Sequence, residues 1–206
     1  MPGTMLALAA GLSFLRSRPW AVRILFAYLL VWACLKLPDV ITAPATESSW
    51  LGLGELTLLL AGGWILLACL APHPQGSPLA FLTNERGLRI ARYLFALSII
   101  PVGLSHIVYL EPTTHFVPAW LPFRPGWAIL TGAGQIASGL GVLFNVLPRL
   151  AAYAEAAQIT LYTLLVWAPA LIAAHTRLNY TAFFVSWIFG AAAWAVAQNI
   201  LAKASK

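Results

Sequence analysis

Four polar side chains interrupt runs of sequence that are otherwise apolar: Lys36, Glu55, His106 and Gln135. Each falls a turn or two inside one end of its run. Because the runs alternate in direction, the four should lie at the same end of an antiparallel bundle. A carboxylate at membrane depth must be neutralised or paired, and Lys36 and His106 are the partners within reach of Glu55. Such a group either ties helices together or forms the wall of a ligand site. Imidazole adds a specific chemistry: it gives or takes a proton near neutral pH and can hydrogen-bond a carbonyl or hydroxyl.

A second group lies between the runs. Residues 110–127 carry Glu111, His115, Arg124, prolines at 112, 118, 122 and 125, and the rings of Phe116, Trp120, Phe123 and Trp127. Proline fixes φ and removes donors, which predicts a rigid, non-helical segment. The aromatic residues suit a lid at headgroup level, with Trp120 and Trp127 at the mouth of a site and His115 above it. His106, Glu111 and His115 straddle a helix end, so their spacing does not define a metal centre, and no metal is expected. Cys34 and Cys69 form no CxxC pattern, lie in apolar runs near opposite faces, and read as small buried hydrophobes.

The elements that must position these residues are set by composition. Of the 206 residues, 61% are hydrophobic and 9% charged, against about 25% charged in a soluble domain. A domain this small cannot hide that much apolar surface from water. A soluble enzyme, a disordered tail and a secreted disulfide scaffold are thereby excluded. Six stretches reach the roughly 20 apolar residues a bilayer span needs: 21–38, 50–71, 88–110, 127–147, 150–173 and 181–202. The expected fold is an all-α integral membrane bundle of six transmembrane helices. The Pro148-Arg149 link makes spans four and five antiparallel neighbours. Short internal echoes, such as LeuLeuValTrpAla at 29–33 and 164–168, suggest three related hairpins.

The net charge of +6 reads as topology. With the N-terminus in the cytoplasm, nine Lys and Arg fall inside and only Lys36, Arg124 and Arg177 outside, as the positive-inside rule requires. Both termini are then cytoplasmic, in what should be a prokaryotic cytoplasmic membrane. No basic run interleaved with aromatics suggests nucleic acid. Near the inner face, Glu155 is expected to form an ion pair with Arg149 or Arg92, and Gln158, Asn145, Gln198 and Asn199 to bond between helices.

From residue 88 to about 173 the chain resembles the DoxX family of small four-helix membrane proteins. The resemblance rests on Gly103-Leu-Ser-His106, Pro112, Val117-Pro118-Ala-Trp-Leu-Pro122, Trp127, Thr131-Gly132, Gly139-Leu-Gly141 and Arg149-Leu-Ala-Ala152. The family usually has glutamate where this chain has Gln135. The resemblance implies a four-helix core over 88–202, an added N-terminal hairpin over 21–72, and an interfacial segment over 1–20. It also implies a membrane subunit that interacts with a quinone and with a partner oxidoreductase. His106 would be the main ligand contact, Glu55, Gln135 and Lys36 would support it, and Trp120, Trp127 and His115 would surround the mouth. No haem, flavin or iron–sulfur motif is present, so no intrinsic cofactor is expected. A non-catalytic scaffold or assembly subunit with a structural polar cluster is the alternative.

Overall fold

The computed structural model describes residues 18–73 and 76–204; most of the N-terminal segment 1–20 lies outside them. The described residues form helices joined by short turns and loops, with no strand. Six helices are long and apolar enough to cross a bilayer: α1 (Arg18–Thr42), α2 (Glu47–Leu70), α3 (Glu85–Val108), α5 (Arg124–Leu143), α6 (Pro148–Ala173) and α7 (Arg177–Ala204). A short α4 (Leu110–Phe116) lies between α3 and α5. The long helices run a few residues past the apolar stretches because backbone hydrogen bonding continues into the flanking polar residues. At 1.5 Å per residue, the 25 residues of α1 extend about 37 Å, beyond the roughly 30 Å hydrocarbon core.

The helices close a ring. In order around it, α2 packs on α3, α3 on α5, α5 on α6, α6 on α7, and α7 back on α2. The first helix lies outside, seated on α2. Half of the apolar window of α2 is buried, the largest share among the six. The two helices of the N-terminal hairpin therefore differ: α2 is a ring member and α1 is not. Buried Phe26, Leu58, Trp64, Phe95, Ile99 and Val196 belong to one continuous core.

Glycines set the closest approaches. A Cβ on Gly62 of α2 would lie 2.5 Å from that of Ala192 on α7. Gly103 and Gly132 bring α3 and α5 together so closely that a Cβ on either would lie 2.6 Å from the other's carbonyl oxygen. Gly139 extends the seam toward Ala96. In lipid the hydrophobic effect does not drive helices together, so close van der Waals contact through small residues takes its place.

The connections are held by named bonds. The Trp50 indole N–H donates to the Pro44 carbonyl at 2.8 Å, bracing the α1–α2 turn. The Trp64 indole donates to the Leu82 carbonyl at 2.6 Å, drawing the 71–84 connection onto α2. Asn84 caps α3 by accepting from the Arg86 and Gly87 amides. Helix α6 contains a wide π turn over Thr163–Trp167. Pro169 has no N–H to offer the Leu165 carbonyl, which breaks the regular ladder there.

Two expectations are corrected. Cys34 and Cys69 are free but exposed. An apolar run signals burial in a soluble protein, whereas here both side chains lie on the outer surface of a bundle of apolar helices. Residues 110–116 are helical, not an irregular lid. Pro112 falls in the first turn of α4, where its missing N–H costs no helical bond.

Candidate functional site

The site is built at the end of the bundle where α3 finishes and α5 begins. His106 sits two residues before the end of α3, facing the glycine seam. The Gly132 position is so close that a Cβ there would lie 2.7 Å from His106 Cβ. The seam thus fixes the imidazole against α5. Its Nδ1 lies 3.2 Å from the Thr131 hydroxyl, and the Ala128 carbonyl is beside the ring. The Thr131 hydroxyl proton is shared between the carbonyls of Trp127 at 2.8 Å and Ala128 at 3.0 Å. When Nδ1 carries the proton, Thr131 Oγ1 accepts from the imidazole, and in that tautomer Nε2 keeps its lone pair.

Helix α6 contributes the opposite wall. Gln158 Nε2 donates to the Thr131 carbonyl at 2.9 Å and to the Tyr162 hydroxyl at 2.7 Å. The Tyr162 ring lies 5.7 Å from the His106 ring, centre to centre. The Thr131 side chain lies beside the same hydroxyl, so Tyr162, its oxygen accepting from Gln158, can donate to Thr131 or to a bound ligand. Around these groups lies a cavity of about 760 Å³ between α5 and α6. Its walls are mainly apolar, with Trp120, Trp127, Leu130, Leu161 and Trp167 among them. Phe116 of α4 packs on Trp167, ring centres 5.0 Å apart and planes tilted by 51°, and closes one edge.

The segment over the cavity is pinned. Arg124 donates from Nε to the Val117 carbonyl and from an η nitrogen to the His115 carbonyl, both at 2.9 Å. The Trp127 indole donates to the Pro122 carbonyl at 3.0 Å. Phe123 turns the chain with φ at 52°, and the absence of a side chain at Gly126 leaves room for its ring.

The residues expected to converge fall into separate groups. His106, Trp120 and Trp127 all line the cavity. His115 is exposed and does not line it; only its backbone carbonyl takes part, through Arg124. Lys36 forms an ion pair with Asp39 at 2.9 Å on its own helix. The charged groups acting on Glu55 are Glu47 and Lys36, and no hydrogen bond or ion pair links it to His106. Glu55 is half-buried on α2, while His106 faces α5 and α6.

Gln135 is buried and donates from Nε2 to Glu155 Oε1 at 3.2 Å. The anticipated ion pair of Glu155 with arginine does not form: Arg92 bonds Glu85 at 3.3 Å instead. Glu155 is wholly buried, with Ser138 beside it, and its Oε2 and the Gln135 Oε1 lack partners. Among the described residues, no three His, Cys, Asp or Glu side chains gather as metal ligands.

Sequence reasoning missed Tyr162 and the Gln135–Glu155 bond, although the hairpin signal could have found the bond. Gln135 stands ten residues before Asn145 and Glu155 ten after it, so a tight antiparallel hairpin centred there makes them face. Thr131 and Gln158 follow nearly the same register, offset by one residue. No family model, curated protein or solved structure matches the chain.

Proposed function

We propose that this chain is a multi-pass DoxX-like membrane subunit whose α5–α6 cavity binds a quinone or a similar lipid-soluble ring compound. The observation that carries the reading is the placement of two polar rings, His106 and Tyr162, 5.7 Å apart beside a largely apolar cavity. His106 Nε2 is the acceptor, suited to a ligand hydroxyl. The Tyr162 hydroxyl is the donor, suited to a ligand carbonyl. Gln158 and Thr131 hold both groups in place. About 760 Å³ lies within the usual range for small-molecule sites, roughly 300–1,000 Å³. Trp120 and Trp127 supply flat faces for a ring.

A quinone would bring two-electron, two-proton chemistry to the site, with the electrons exchanged through a partner oxidoreductase. This chain's contribution is to bind and orient the head group, and to hold a proton acceptor at Nε2 and a donor at Tyr162. Glu55, Lys36 and His115 have no direct part in this site. Gln135 supports it from below by fixing the α5–α6 register. The Gln135–Glu155 bond also favours a second reading, a non-catalytic assembly subunit whose polar groups serve only to join helices. We place both termini in the cytoplasm of a prokaryotic cell, with the cavity toward the outer face.

The test uses protein purified in mild detergent and reconstituted in nanodiscs. Ubiquinone and menaquinone are titrated against tryptophan fluorescence, and co-purified quinone is extracted and quantified. Wild type should quench saturably, and His106→Ala and Tyr162→Phe should each weaken binding about tenfold, the size of one hydrogen bond in an apolar site. Absence of saturable quenching in wild type, together with variants that lose only thermal stability, would leave the assembly reading standing.

A further inference from the structure

The opposite end of the bundle holds a second cavity, of about 630 Å³, where α3, α6 and α7 meet the α5–α6 turn. Its chemistry differs from that of the first. Arg89, Arg92 and Tyr93 of α3 face Asn145 in the turn and Arg149 at the start of α6. Three guanidinium groups therefore share one space. One acid is partnered with them: Glu85, whose largely exposed carboxylate meets Arg92. Arg92 is itself buried, at 8% exposure, and its Nε donates to the Leu88 carbonyl at 3.1 Å. It is a fixed cation in the wall. Arg89 and Arg149 are exposed, and among the described residues neither has a carboxylate partner.

The turn that presents Arg149 is rigid. Asn145 and Leu147 adopt left-handed φ values of 58° and 47°, and Pro148 opens α6 at a position where its missing N–H is not needed. The positive end of the α6 dipole thus points toward the same space. The remaining walls are apolar: Val142, Leu143 and Ile200. A cavity that is cationic on one side and hydrocarbon on the other, at the end of spanning helices, matches a molecule with an anionic head and an acyl tail. A free anion would find no use for the apolar half.

We infer that this cavity binds the phosphate of an anionic phospholipid, with Arg89 and Arg149 gripping the phosphate oxygens and Arg92 supplying fixed positive charge behind them. Guanidinium is suited to this task because its planar donors match phosphate oxygens in pairs, and basic pockets between spanning helices are known to select anionic head groups. The inference is independent of the ligand proposed at the other end.

The experiment compares wild type, the double variant Arg89→Gln/Arg149→Gln, and Arg177→Gln, whose arginine lies at the other end of α7. Each is purified in dodecylmaltoside and exchanged with phosphatidylglycerol or phosphatidylcholine. Bound lipid is counted by native mass spectrometry, and melting is followed by tryptophan fluorescence. Wild type should retain phosphatidylglycerol preferentially and melt higher with it. The double variant should bind it about 30-fold more weakly, taking the usual contribution of each surface cation, while melting like wild type in detergent alone. Arg177→Gln should behave as wild type. Equal retention of the two lipids by wild type, or undiminished retention by the double variant, overturns the inference. Competition by millimolar inorganic phosphate as effective as that by the lipid would assign the site to a soluble anion and overturn the lipid assignment.

Discussion

Replacing Gly132 by alanine tests how the helix seam holds His106. The new Cβ would lie 2.6 Å from the Gly103 carbonyl oxygen and 2.7 Å from His106 Cβ, whereas ordinary contact begins near 3.4 Å. The shortfall is about 0.8 Å, and neither neighbour is the tip of a flexible side chain. Helices α3 and α5 must therefore separate locally. If the whole displacement reached the imidazole, the 3.2 Å approach to Thr131 would stretch to about 4 Å, beyond hydrogen-bond range. Overpacking of this kind costs about 1–3 kcal/mol, and the lost bond adds about 1 kcal/mol. Alanine's better helix propensity returns up to about 1 kcal/mol.

The expected net loss from Gly132→Ala is thus about 1–3 kcal/mol. Gly190→Ala is the matched control. Gly190 is also buried in a spanning helix, but its Cβ would meet Thr160 Oγ1 at 3.6 Å, an ordinary contact. That variant should be neutral or gain up to about 1 kcal/mol. Unfolding by SDS titration in dodecylmaltoside, followed by tryptophan fluorescence, measures both. Equal stability of the two variants, within about 0.5 kcal/mol, would refute the argument that this seam is at its steric limit.

Two further predictions concern the core and the topology. Gln135→Leu should destabilise the bundle by about 1–3 kcal/mol, because it removes the amide donor from a fully buried carboxyl; the double change Gln135→Leu/Glu155→Leu should recover most of the loss, and a double variant no better than the single one would argue against the bond. Reporter fusions after Ser49 and after Arg124 should both read outside the cell, and a cytoplasmic signal from either would break the proposed orientation.

The spans were legible in the sequence because hydropathy reports length directly, and all six were located within a few residues. Facing was less legible. A hydropathy run carries no information on which side meets lipid, which is why Cys34 and Cys69 read as buried yet lie exposed. Depth was legible only along single helices. Glu55 and His106 read as level from their distances to the helix ends, but Gly54 packs against Ser98 and Pro101, more than a turn deeper than His106, and His106 is turned toward α5 and α6. Gln135 and Glu155 were assigned to different halves of the bilayer by distance from the nearest charged boundary. The tight turn at Asn145 overrides that estimate, since partners in a hairpin pair by their distance from the turn. Tyr162 gave no signal because an aromatic in an apolar run looks like core until His106 is placed 5.7 Å from its ring.

Closure of the ring through Gly62 and Ala192 has a consequence for biogenesis. The contact joins the second spanning helix to the last. In the proposed membrane topology, the Gly62 face of α2 gains its α7 partner only after α7, the last helix, has been synthesised and inserted. Four neighbours in sequence can pair as they emerge, but the final joint waits for the end of translation. Over that interval an apolar seam shaped for a close helix contact stays open to lipid and to other nascent chains. Mispairing there, more than slow folding of any single hairpin, is the hazard this topology creates for its own assembly.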